Sequence, residues 1–213
     1  PIRSRGVNIK RPILPCGIGH VIVKPSPRQN LRKFDLGNCT RVGLLCALDK
    51  ENNIMLEHHA HGPPMQFRRA SSHHLYYISK TLDEIEERKD VVIGITLCVH
   101  FNTFPLDVYI RRLQYIRRSI LQLLSRNPDT VIVIKTGNVR EPRAGYILNY
   151  NDWFSYQLNV LMRRIFVYMN VAFVDAWEMT VAHYLPHNIH PQRIIIKNEI
   201  DVFLSYVCPS EKE

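Results

Sequence analysis

Residues 91–207 predict an α/β domain with a mainly parallel sheet, and three observations carry that prediction. Val91 to Cys98, Val131 to Thr136 and Val171 to Val174 are continuous apolar runs, the pattern of strands buried on both faces rather than one. Segments with helical spacing separate and follow them, so strand and helix alternate, which leads to a sheet with helices on both faces, a three-layer sandwich. Each run also stops on polar residues: His100 and Asn102, Asn138 and Arg140, Asp175 and His190. In open α/β sheets, reactive and ligand-binding groups collect beyond the carboxyl ends of strands.

The elements follow in chain order. Residues 1–31 hold scattered prolines and basic residues and read as an irregular segment, with one strand signal at Ile18 to Val23 and a turn at Gly17-Ile18-Gly19. Residues 42–57 place two apolar runs around Asn52-Asn53, a hairpin signal. Tyr76 to Lys89 spaces Ile78, Leu82 and Ile85 as a helix, with Asp83, Glu84, Glu86 and Glu87 outward. Leu106 to Arg126 is the longest predicted helix, with Leu106, Ile110, Leu113, Ile116, Ile120 and Leu124 as its buried stripe and Arg111 and Arg118 in solvent. Asp152 is placed to cap a helix running to about Met169, with Trp153, Leu158, Leu161 and Ile165 inward. Trp177 falls in a loop, and Asn198 to Val207 closes the domain as a helix. The organisation expected is an irregular segment over 1–31, one domain over 32–209 and a tail over 210–213.

Composition narrows the function classes. A chain of 213 residues suffices for one domain with a substantial core. No apolar run is long enough to span a membrane, and the first residues lack the apolar stretch of a signal peptide. The net charge of +9 invites a nucleic-acid reading. No zinc-finger spacing or aromatic RNP-type strand accompanies it, so no specific nucleic-acid partner is expected, and a solvated basic face is the plainer account. The five cysteines form no C-x-x-C pair. Asn38-Cys39-Thr40 fits the N-glycosylation pattern. His58, His59 and His61 cluster, with His73 and His74 further on, but no carboxylate or cysteine stands at ligand spacing, so no metal is expected.

The sharpest chemical signal is Asp175 closing a strand with His190 fifteen positions later. A histidine general base with a carboxylate to orient it is the arrangement of hydrolases and acyltransferases. The bland alternative is a loop histidine and a strand-end Asp bonded to backbone.

Several stretches resemble the C-terminal domain of the neurexophilin and PC-esterase (NXPE) family. They are ENNIMLE with HGPP, TLCVHFNTFP, IRRL, VIVIKTGNVRE, VDAWEMTVAHYLPHNIHP and IIIKNEIDVFLSYVCP, in order over about residues 32 to 209. The resemblance implies an SGNH-hydrolase-like, flavodoxin-like three-layer fold, here with its N-terminal part incomplete. It also implies acyl transfer to or from a glycan hydroxyl in the secretory pathway or outside the cell. His190 takes the place of the base, His100 lies where a strand end presents polar groups near the oxyanion, and Asp175 and Trp177 match a signature of the family. Asn102, Asn138 and Trp177 are the candidate substrate-binding residues. No cofactor is implied, apart from acetyl-CoA as donor if the reaction is a transfer. A glycan or glycoprotein acceptor is the expected partner.

Three departures set the expectation for activity. The nucleophile block of such enzymes, a GDS-type turn, has no counterpart in residues 1–31, where Ser4 and Ser26 lack its context. The acidic residue usual three positions before the base is replaced by His187, and Cys98 stands where a glycine is expected. Without a nucleophile the base has no hydroxyl to activate. The sequence is therefore expected to encode a relative of glycan O-acetyl esterases and acetyltransferases that is inactive in this form. An active O-acetyltransferase or esterase and a non-catalytic glycan- or protein-binding module are the alternatives.

Overall fold

The computed structural model describes residues 17–22, 32–35, 45–49, 54–64, 77–87, 90–141, 147–184, 186–188 and 190–208, the first three strands by their backbone. Among the described residues seven strands form one sheet: β1 (Gly17–Ile22), β2 (Arg32–Asp35), β3 (Leu45–Asp49), β4 (Ile54–Ala60), β5 (Val91–Thr96), β6 (Val131–Lys135) and β7 (Ala172–Val174). Their spatial order is β2-β3-β4-β1-β5-β6-β7. Helices α1 (Ile78–Asp83), α2 (Leu106–Arg126), α3 (Asp152–Ile165), α4 (Ala176–Val181) and α5 (Arg193–Val207) complete the domain.

The three apolar runs predicted as parallel strands are β5, β6 and β7, and they pair in parallel. Their alternate residues serve two layers, because successive side chains on a strand point to opposite faces. Ile93, Ile95, Ile132 and Ile134 join the core cluster with residues of α1, α2 and α3. On the opposite face Phe203 of α5 lies over Gly94, with its ring 3.4 Å from where a Cβ would stand. This is the α/β sandwich the sequence predicts, consistent with an SGNH- or flavodoxin-like core. Antiparallel strands β1 to β4 extend it on the β5 side.

The hairpin at residues 42–57 is β3 and β4, with Asp49 opposite Ile54. The strand expected at Ile18 to Val23 is β1. It lies between β4 and β5, so residues 17–22 belong to the sheet, and Gly17 to Gly19 are strand rather than turn. Because β1 runs antiparallel to both neighbours, β4 and β5 run in the same direction. Ala60 at the end of β4 pairs with Gly17, and Ile95 near the end of β5 pairs with Ile18. The carboxyl ends of β4 and β5 therefore share one edge of the sheet.

The helices correct several expectations. Helix α1 stops at Asp83, well before Lys89. Helix α2 has the predicted bounds, but its buried stripe is Tyr109, Leu113, Ile116, Ile120 and Leu123, and Leu106 is exposed. The shift is made by Tyr109, whose fully buried hydroxyl donates to the Leu97 carbonyl at 2.8 Å. Asn151, not Asp152, caps α3, its side chain accepting from the Phe154 amide. Trp153 points outward, 63% exposed. Trp177 lies in α4 rather than a loop, and α5 starts at Arg193 rather than Asn198.

Candidate functional site

His100 is delivered by a local device. After β5, Leu97 and Cys98 remain buried, and a single 3-10 turn, Val99–Phe101, carries the chain to a fully buried Phe101. Phe101 packs on Tyr109 with ring centroids 5.1 Å apart. His100 is held between these anchors. One residue past the end of β4, His61 is fully buried, and its Nε2 lies 2.8 Å from Nδ1 of His100. Arg112 of α2 secures this corner, donating to the carbonyls of His61 (3.3 Å) and Pro63 (2.9 Å) while its guanidinium lies 4.1 Å above the Tyr77 ring.

Electrostatics extends the corner along the edge. Burial pushes the His61 pKa down to about 3, reinforced by His100 and Arg112. His100 is lowered by burial and then by the charge of His190. His190 is lowered by burial and then by Lys135, the last residue of β6. Lys135 pairs with Glu199 of α5 at 3.5 Å, and burial raises the Glu199 carboxyl. The two histidines that the sequence marks are thus brought within each other's field. Their neighbours are imidazoles and an ammonium group. Among the described residues, no serine and no carboxylate is hydrogen-bonded to His61, His100 or His190.

Beyond β6 the chain is tied down from several sides. The Gly137 amide donates to Asn159 Oδ1 at 2.8 Å, and the Val139 amide donates to Thr180 Oγ1 at 2.9 Å. The Arg140 amide donates to Asp152 at 3.0 Å, and its guanidinium reaches Ser155 Oγ at 2.6 Å. Asn102 donates to the same hydroxyl at 3.0 Å. His187 is buried too: its carbonyl accepts from the Glu141 amide, and its Nε2 donates to the Thr180 carbonyl. Asn102 and Arg140 therefore join β5, β6 and α3 from inside the fold. Half-buried Asn138 donates to the Val139 carbonyl at 3.1 Å.

Asp175 closes β7 as expected, and its carboxylate is committed locally. Oδ1 caps α4 by accepting from the Glu178 amide and also accepts from Thr136 Oγ1 at 3.2 Å, while Oδ2 pairs with Arg163 of α3. No hydrogen bond joins it to His190 among the described residues. Trp177 is half-buried, its ring 5.7 Å from that of Tyr156, which stacks in turn on Trp153 at 6.4 Å.

His61, Lys135 and Glu199 are the members of this edge that sequence reasoning did not assign. The one available signal was a lysine ending an otherwise apolar strand. For His61 the sequence offered only a histidine cluster. Among the described residues no group of three His, Cys, Asp or Glu is placed to hold a metal ion, and no helix is long and apolar enough to cross a membrane. Asn38, Ser4, Ser26, His73 and His74 lie outside the described residues.

The family profile described as NXPE family member 4-like, C-terminal domain, matches residues 24–208. No solved structure matches the chain.

Proposed function

We propose, from the premise that this chain belongs to the NXPE family by its C-terminal domain, that it is a relative of glycan O-acetyl esterases and acetyltransferases whose present form does not turn over acyl esters. The observation that carries this reading is the company His190 keeps. A serine-type mechanism needs a hydroxyl for the base to deprotonate and a carboxylate to stabilise the imidazolium that forms. Burial, and then the charge of Lys135, do the reverse at His190: they disfavour the imidazolium and weaken the base. The carboxylate at the strand end, Asp175, is occupied by Arg163, Thr136 and the amide of Glu178.

The test is hydrolysis of an activated acetyl ester by this chain and by His190→Ala. Equal, background rates are expected. Hydrolysis above background that disappears in His190→Ala would overturn the reading and restore an esterase or acetyltransferase with His190 as base, His100 at the oxyanion and acetyl-CoA as donor for transfer.

A second reading, a non-catalytic glycan-binding module of the secretory pathway, is favoured by Trp153, Tyr156 and Trp177. Their rings follow one another at the start of α3 and α4, and Trp153 and Tyr156 are 63% and 47% exposed. Aromatic faces left in water next to polar strand ends mark interaction sites. Sugar rings stack on such faces through their C–H edges, and Asn138 at the end of β6 supplies a polar group on the same edge of the sheet.

A further inference from the structure

We infer that His187 is a positioning residue: its ring latches the segment that carries His190 onto the C-terminal end of α4, and so decides which groups His190 meets. The bond that makes the latch has only one possible direction. Nε2 of His187 lies 2.7 Å from the Thr180 carbonyl. A carbonyl oxygen only accepts, so Nε2 carries a proton. The residue is 6% exposed, and among the described residues its Nδ1 has no hydrogen-bond partner. Thr180 stands in the last turn of α4, where carbonyls lack the partners of a helix interior and a side-chain N–H can supply one. The His183 amide reaches the same oxygen at 3.3 Å, farther than the imidazole.

Thr180 is itself tied to the carboxyl edge of the sheet. Its hydroxyl accepts from the Val139 amide at 2.9 Å and donates to the Ala176 carbonyl at 2.7 Å. The Glu141 amide completes the unit by donating to the His187 carbonyl at 2.8 Å. The chain leaving β6, the end of α4 and His187 are thus bonded together. On the far side of His190, Gln192 at the start of α5 donates its side-chain amide to the Pro186 carbonyl at 3.0 Å. His190 therefore projects from a short segment that closes on itself between Pro186 and Gln192 and is pinned by His187.

The latch also bears on the carboxylate that His190 does not meet. Asp175 caps the first turn of α4, and His187 caps its last. Six residues at about 1.5 Å each place those two ends roughly 9 Å apart. His187 thus anchors the His190 segment at the end of α4 away from Asp175, in keeping with the absence of an Asp175–His190 hydrogen bond among the described residues. This concerns where His190 stands, and it does not rest on what the chain acts upon.

Nitrogen-15 spectra of the histidine-labelled native chain read the latch directly. Nε2–H on His187 is expected, and a bare Nε2 overturns the inference without need of a variant. The positioning role is read at His190, whose ring titration is followed in the native chain, His187→Gln and His187→Leu. Gln keeps an N–H donor, whereas Leu fills the site with neither donor nor charge. His190 is expected to titrate below the ordinary 6.5 in the native and Gln chains. In His187→Leu it should rise toward that value, as the segment leaves the burial and the Lys135 charge that lower it. Exchange of the Glu141 amide should quicken by about tenfold in His187→Leu alone. An identical His190 midpoint in the native chain and a folded His187→Leu chain overturns the positioning role. A shift in His187→Gln as large as in His187→Leu overturns it as well.

Discussion

The sulfur of Cys98 occupies the space that a side chain at Gly137 would need. A Cβ built on Gly137 stands 2.5 Å from Cys98 Sγ and 3.3 Å from Asn159 Oδ1. The contact joins the ends of β5 and β6 and sets how closely the two strand-end loops approach. It also gives Cys98, which stands where a glycine is expected, a packing role: the cysteine is buried, and the glycine sits on the facing strand end.

Gly137→Ala is therefore expected to destabilise the chain by about 1–3 kcal/mol, the usual range for overpacking. Adding Cys98→Gly should return part of that loss. Urea denaturation of the two single variants and the double variant measures the coupling. Strictly additive losses would show that the two positions do not compete for space.

Asp175→Ala is expected to lower stability by about 0.5–2 kcal/mol, the range for a lost helix N-cap. The Arg163 pair adds little, because both side chains are more than a third exposed. A thermal or urea unfolding series measures the loss, and Asp175→Asn should retain part of the cap. A chain with undiminished stability after Asp175→Ala would contradict the structural role and return the carboxylate to the candidate base.

Acid should destabilise the fold through its histidines. An unfolded chain protonates an ordinary histidine near pH 6.5, whereas folded His61 does so at about 3. Between these values the unfolded state binds more protons, so stability is lost as pH falls through that window. The slope is at most about 1.4 kcal/mol per pH unit for this one group. His100 and His190 act in the same direction, while the raised carboxyls of Asp152 and Glu199 oppose them at the acidic end. Urea midpoints at pH 7 and pH 5 should fall for the native chain and fall less for His61→Phe. Equal slopes would mean that His61 is not held neutral.

Trp153→Ala is expected to change stability by less than about 0.5 kcal/mol, as for an exposed side chain away from the core. The same substitution should weaken retention on immobilised glycans if the exposed rings bind sugar. Retention unchanged by Trp153→Ala would count against the binding reading.

What the sequence determines by itself is the local grammar and the family. The continuous apolar runs Val91 to Cys98 and Val131 to Thr136 become interior strands because that pattern fits a position covered on both faces. Helix α2 keeps its predicted bounds, since periodicity and flanking residues specify a long amphipathic helix without outside help. Trp153 shows the limit of such patterns: its spacing is compatible with an inward position, but packing turns Ser155 and Leu158 inward and leaves the indole in water. The site depended on the tertiary structure. His61 meets His100 across 39 residues only because β1 lies between β4 and β5 and sends both toward one edge. Asp175 is withdrawn from His190 because α4 starts at the next residue and Arg163 arrives from another helix. Propensity and periodicity act over one or two turns of chain, whereas strand order and the partner of a charge are settled by long-range packing.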